Sequence, residues 1–137
     1  MKHLFSIILG LLSFCQLQAQ SWTADNGNGT FTNPLFYDEF TDPDLIRVGT
    51  DFYMVASSMH AMPGLPLLRS KDLVNWEFVT YIFDRLDLGP DFHLEGDKGI
   101  YGNGIWAPAI RYHKGTFYVF VNVLSLIHIS EPTRLQL

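Results

Sequence analysis

The chain has 137 residues and a mildly acidic balance, 9 Lys and Arg against 14 Asp and Glu, with the basic residues scattered along it. That pattern argues against nucleic acid as a partner, since no basic stripe is available to neutralise a phosphate backbone. Eleven Phe, six Tyr and three Trp at only 17% charged residues suit an all-β core. They also suit carbohydrate, whose C–H faces stack on aromatic rings while its hydroxyls take hydrogen bonds.

Lys2 and His3 precede an apolar run from Leu4 to Cys15, followed by Gln16-Leu17-Gln18-Ala19-Gln20. This is the form of a secretory signal peptide over 1–19, with cleavage after Ala19. The run is too short to serve as a permanent anchor, so no integral membrane span is expected after cleavage. Lipid attachment at Cys15 is the competing reading, opposed by the bulky Phe14 in front of it. Cys15 is the one cysteine, so the processed chain is expected to hold together by its core alone. The expected destination is the periplasm, cell surface or exterior of a bacterium.

Residues 20–32 form a polar, glycine-rich lead-in with a loop at Asp25-Asn26-Gly27-Asn28-Gly29-Thr30. Its Asp and Asn spacing is similar to a calcium loop, but the closing bidentate Glu is missing. The domain itself is expected over 33–123. Its organising stretch begins at Asp42-Pro43-Asp44, where Pro43 lacks an N–H and biases Asp42 towards extended geometry. Leu45 to Val48 reads as a strand, Gly49-Thr50-Asp51 as a reversal, and Phe52 to Val55 as an apolar strand buried on both faces. Asp42 therefore stands at the mouth of an apolar hairpin, where a rigidly held carboxylate can act as acid or base. Asp44 is the competing candidate. Met59 to Gly64 is an irregular loop, Leu65 to Arg69 a third strand, Ser70 to Trp76 a turn, and Trp76 to Phe83 a fourth strand. Four consecutive short antiparallel strands make one propeller blade.

A second copy follows. Ile46-Arg47-Val48-Gly49-Thr50-Asp51-Phe52-Tyr53 resembles Ile110-Arg111-Tyr112-His113-Lys114-Gly115-Thr116-Phe117-Tyr118, with one residue inserted at the turn and the Phe-Tyr pairs 65 positions apart. A strand–turn–strand unit repeating at that period points to a blade array. Asp84 to Asn103 is a long loop between the copies, of the kind that is functional or mobile. Gly102-Asn103-Gly104-Ile105-Trp106-Ala107-Pro108 introduces the second hairpin and is no phosphate cradle, because the glycine spacing is wrong and no helix follows. Trp106, beside Ala107-Pro108, takes the place of Asp42-Pro43-Asp44 in its repeat and is expected to face the same cavity. His93 lacks a clear partner and His113 lies in an exposed turn. No His, Cys or carboxylate pair has metal-ligand spacing, so neither metal nor cofactor is expected.

Four motifs occur in one order: Asn33-Pro34-Leu35, Asp42-Pro43-Asp44-Leu45-Ile46-Arg47-Val48-Gly49, Ser70-Lys71-Asp72-Leu73-Val74-Asn75-Trp76, and Gly104-Ile105-Trp106-Ala107-Pro108-Ala109-Ile110-Arg111-Tyr112-His113. Together they resemble the amino-terminal part of a family 43 glycoside hydrolase, over about Asn33 to Val123. The resemblance implies a five-bladed β-propeller of which this chain supplies about one and a half blades. It implies an inverting β-xylosidase or α-L-arabinofuranosidase type of activity on pentose-containing glycans. It also implies that Asp42 is the general base, and that Trp106, Ala107, Met59 and His60 line the sugar pocket. An inverting glycosidase needs a second carboxyl group about 6.5–9.5 Å away to protonate the leaving oxygen. The family's general acid, a Glu, and its auxiliary Asp belong to later blades, and no segment here matches them.

Residues 124–137 depart from the family pattern and resemble translated adaptor sequence, which sets them apart from the fold. The alternative is a natural tail in which Leu126-Ile127-His128-Ile129 adds a strand. With the tail set aside, Phe117 to Val123 is the final ordered strand and is expected to present an unpaired edge. Residues 20–137 alone are expected to be inactive and not to persist as a stable monomer. A non-catalytic sugar-binding propeller and a structural propeller are the competing functional readings.

Overall fold

Gly49-Thr50 joins Asp44–Val48 (β1) to Asp51–Val55 (β2) as a two-residue hairpin, with Val48 opposite Asp51 and Arg47 opposite Phe52. Gly49 takes φ 64°, the positive value such a connection needs at its first position. Gly64–Ser70 (β3) and Trp76–Phe83 (β4) continue the meander, so the first sheet runs β1-β2-β3-β4 in chain order, all antiparallel. This is the expected blade. The computed structural model describes residues 23–97, 99–123 and 130–135; the expected signal peptide and Cys15 lie outside them. Among the described residues, no helix is long and apolar enough to cross a membrane.

Ile105–His113 (β5) and Thr116–Val123 (β6) form the second hairpin. Lys114 and Gly115 both have positive φ, 48° and 80°, as a type I′ connection requires. The edge of β6 is not unpaired as expected: Ser130–Leu135 (β7) pairs with it from Asn122↔Ser130 to Phe117↔Leu135. That strand falls inside the tail, downstream of the alternative at 126–129, which lies outside the described residues. A bare edge offers a row of N–H and C=O groups that an extended segment can pair. Among the described residues β7 is the last strand of its sheet, a position that tolerates Pro132.

The core fills the space between the two sheets. Val55, Leu65 and Leu67 from the first blade meet Ile105, Ile110, Phe117 and Val119 from the second, each fully buried side chain contributing about 1.5–3 kcal/mol relative to exposure. The repeat uses opposite faces in its two copies. Tyr53 packs towards the core in the first blade, whereas Phe117, the partner of Phe52 in the repeat, is buried in the second. Their rings meet at 4.8 Å. The Tyr of the first copy and the Phe of the second thus meet at one inter-blade junction. The first half of β2 is only half-buried, unlike the expected two-faced burial, because it leaves the exposed Gly49-Thr50 turn; Met54 and Val55 are buried.

The long loop between the sheets is pinned. Phe92, in the 3-10 turn Pro90–His93, and Ile100 are buried in the inter-blade core. His93 Nε2 lies 3.3 Å from Asp87 Oδ1 but makes no hydrogen bond among the described residues.

Candidate functional site

Asp42 sits where β1 begins, and its geometry follows from the hairpin behind it. The β1–β2 ladder ends at Asp44 opposite Val55, and the chain beyond it brings Ser57 against Thr41 and Asp42. The Ser57 N–H donates to the Thr41 carbonyl at 2.9 Å, and the Ser57 hydroxyl donates to Asp42 Oδ2 at 2.9 Å. Asp42 is not extended as Pro43 alone would favour: its φ is +48°, in the left-handed region. Asp tolerates that region better than most residues, and the Ser57 bonds hold it there. Local strain of this kind is of order 1–3 kcal/mol and persists where the surroundings over-determine it.

The same conformation recurs in the second blade. Ala107 precedes Pro108, has φ +41°, and stands 65 positions after Asp42, the offset that relates the two hairpin registers. Ala107, rather than Trp106, is therefore the counterpart of Asp42. The sequence comparison was displaced by one residue because Ile46-Arg47 and Ile110-Arg111 align better by identity than by register. Ala107-Pro108 is the extra material of a bulge, opposed by the single Val121 between the pairs Trp106↔Asn122 and Ala109↔Phe120. A bulge re-aims the backbone. Here it turns the Ala107 N–H onto Ser57 Oγ at 2.8 Å. Ser57, 6% exposed, thus accepts from the second blade and donates to Asp42 in the first.

Asp44 does different work. Its Oδ2 accepts the Ile110 N–H at 2.8 Å and Arg111 Nη1 at 2.6 Å, bracing β1 against β5. The expected competition between the two carboxylates is thereby separated: Asp44 is occupied across the blade junction, while Asp42 is exposed with Oδ1 unbonded among the described residues.

The Met59-His60 loop packs on the segment leading into β5. Ser58 and Ile105 exchange two backbone bonds of 2.9 Å, and the Met59 carbonyl accepts the Gly104 N–H at 3.1 Å. A Cβ on Gly104 would strike the Ser58 carbonyl, so only glycine fits this close approach. His60 Nδ1 accepts the Gly102 N–H at 2.9 Å, and its ring stacks on Tyr101 at 4.4 Å. A cleft of about 190 Å³ opens here, lined in part by Asp38, Glu39, Ser57, Met59 and His60. Trp106 is half-buried beside this junction, with Nε1 shut from solvent and unpartnered among the described residues.

The structure thus brings Asp42 and Ala107 together through Ser57, and joins Met59 and His60 to the approach to β5. Sequence reasoning missed Ser57, whose approach to Asp42 lies beyond the end of the β1–β2 ladder. It also missed Asp38 and Glu39, for which no local pattern signals the cleft. Among the described residues, no group of three or more His, Cys, Asp or Glu could hold a metal. Two carboxyls of the first sheet and its lead-in loop are held below their ordinary range. The Asn75 side chain, then the Asn75 and Val74 N–H groups, hold Asp72 far below 3.8. Asn75 and the Gly27 N–H lower Asp25.

The sequence model described as glycosyl hydrolases family 43 matches residues 31–130. The chain belongs to this family. It is 40% identical over 103 residues to a beta-xylosidase of Formosa agariphila, covering 75% of this chain and 17% of that protein. It is 42% identical over 90 residues to a non-reducing end alpha-L-arabinofuranosidase of Bacteroides ovatus, covering 66% of this chain and 16% of that protein. Among solved structures, a bifunctional GH43-CE protein of Bacteroides eggerthii superposes with TM-score 0.63 at 34% identity, over 76% of this chain and 16% of the other. The chain therefore spans about a sixth of the length of the relatives it matches. Within family 43 it holds one complete blade and part of a second of a five-bladed β-propeller.

Proposed function

We propose that this chain is the base-bearing, amino-terminal part of an exported inverting glycosidase acting on xylose- or arabinose-containing plant oligo- or polysaccharides. The observation that carries the reading is Asp42 itself: a solvent-accessible carboxylate fixed in a left-handed kink by Ser57, with Oδ1 left over for a water molecule. In this reading Asp42 takes a proton from that water as it attacks the anomeric carbon. Trp106 offers a ring for the sugar, and Ala107, Met59 and His60 complete the wall of the pocket. The general acid and the auxiliary Asp come from blades outside this chain, so the segment alone lacks both the second carboxyl and a closed pocket and is inactive. The names of the relatives, beta-xylosidase and alpha-L-arabinofuranosidase, support the substrate class.

The test is hydrolysis of aryl β-xyloside and aryl α-arabinofuranoside by the full-length protein, with the first-formed product anomer read by proton NMR. An inverted anomer is expected. A retained anomer, or no hydrolysis of either glycoside by folded protein, overturns the reading.

A further inference from the structure

We infer that Ser57 is a positioning residue that aims the Asp42 carboxylate, and that it does so with a hydrogen bond supplied by the neighbouring blade. The inference rests on the reading of Asp42 as general base.

The directionality comes from the inventory of one hydroxyl. A serine has a single O–H to donate and lone pairs to accept with. The Ala107 N–H, which can only donate, occupies Ser57 Oγ as acceptor at 2.8 Å. The hydroxyl proton is then directed to Asp42 Oδ2, 2.9 Å away, which as a carboxylate can only accept. The relay N–H to O–H to carboxylate is polarised in one sense, and each bond strengthens the next. Ser57 is 6% exposed, so bulk water does not compete for the hydroxyl. Its backbone is fixed as well, because Ser57 N–H is bonded to the Thr41 carbonyl, and Ser58 and Ile105 exchange two bonds directly after it.

Two features make this arrangement more than hairpin packing. Ala107 reaches Ser57 only through the bulge in β5 and a positive φ of 41°, a conformation disfavoured for alanine. Asp42 adopts the matching conformation at φ 48°. Two strained backbones, one from each blade, therefore converge on one hydroxyl. With Oδ2 held, Oδ1 is the oxygen presented to water, and the carboxylate plane is set by the docking of blade two on blade one. Misplacing a reacting group by about 1 Å costs on the order of 10²-fold in rate.

The experiment is a double-mutant cycle in the full-length enzyme on an activated aryl glycoside. Ser57→Ala and the near-isosteric Ser57→Cys are each expected to lower kcat about tenfold or more with KM within about twofold. Ser57→Thr, which restores the hydroxyl, recovers most of the lost rate. In an Asp42→Asn background, Ser57→Ala is expected to cost nothing further, since the group it aims is gone. Wild-type kcat in both the Ala and Cys variants overturns the inference. So does an equal loss in the wild-type and Asp42→Asn backgrounds, which assigns Ser57 to packing alone; in both cases an inactive Asp42→Asn leaves the base assignment standing. Near-normal turnover by Asp42→Asn removes the base assignment, and the positioning role with it.

Discussion

Replacing Asp44 with alanine strips a carboxylate that ties the first strand of one blade to the first strand of the next. The loss has two unequal parts. Ile110 is fully buried, so its N–H, which donates to Asp44 Oδ2 at 2.8 Å, is left without an acceptor at about 1–3 kcal/mol. Arg111 is 62% exposed and its ion pair with Asp44 is screened by water, so that part is worth about 0.2–1 kcal/mol. Together the substitution is expected to destabilise the blade junction by about 2–3 kcal/mol, almost all of it through Ile110. A local readout suits a large multi-blade protein better than a global melt, and amide hydrogen exchange provides one. The segment Ile105–His113 should exchange about 30-fold faster or more in Asp44→Ala, as about 2 kcal/mol requires. Asp44→Asn, which keeps an acceptor oxygen, should recover most of the protection, and Arg111→Ala should change it by no more than about fivefold. If Arg111→Ala matches Asp44→Ala, the reasoning from the buried amide is wrong and the brace is a surface ion pair.

Trp106→Ala is expected to raise KM more than it lowers kcat and to leave the pH profile in place, since an indole is neither an acid nor a base at working pH; a collapse in thermal stability with normal pentose binding by the folded remainder would make Trp106 a packing residue instead. Asp72→Ala should flatten the acid limb of the thermal stability curve. The Asp72 carboxyl is held below its ordinary value of 3.8 in the folded chain, so its stabilisation is present above that pH and lost as pH falls towards the folded value. Melting temperatures between about pH 2 and 5 check this, and parallel curves for the two proteins would contradict it.

How much was legible beforehand depended on how local the determining interaction is. The hairpins at Gly49-Thr50 and Lys114-Gly115, and β4 from Trp76 to Phe83, follow from short-range alternation and turn residues, and the sequence carries them plainly. The repeat revealed a second blade but misassigned the counterpart of Asp42, because identity pairs Ile46-Arg47 with Ile110-Arg111 one position away from the pairing that the two hairpin registers give. Asp42 was expected in extended geometry from Pro43 alone; its left-handed kink depends on Ser57, fifteen residues away. The burial of Phe92 and Ile100 depends on two sheets closing over them, which no window of the loop sequence contains. The pairing of β7 with β6 is likewise a property of an open edge, not of the tail's own pattern.

The central proposal, that Asp42 is the base of an inverting glycosidase, is tested most directly by Asp42→Asn in the full-length protein. The amide keeps the shape and can still accept the Ser57 hydroxyl, but it cannot take a proton from water. Steady-state hydrolysis of an aryl pentoside should show kcat reduced about 10²–10⁴-fold with KM little changed. Turnover within a few-fold of wild type would contradict the account and move the base to another carboxylate, with Asp44 the first to examine.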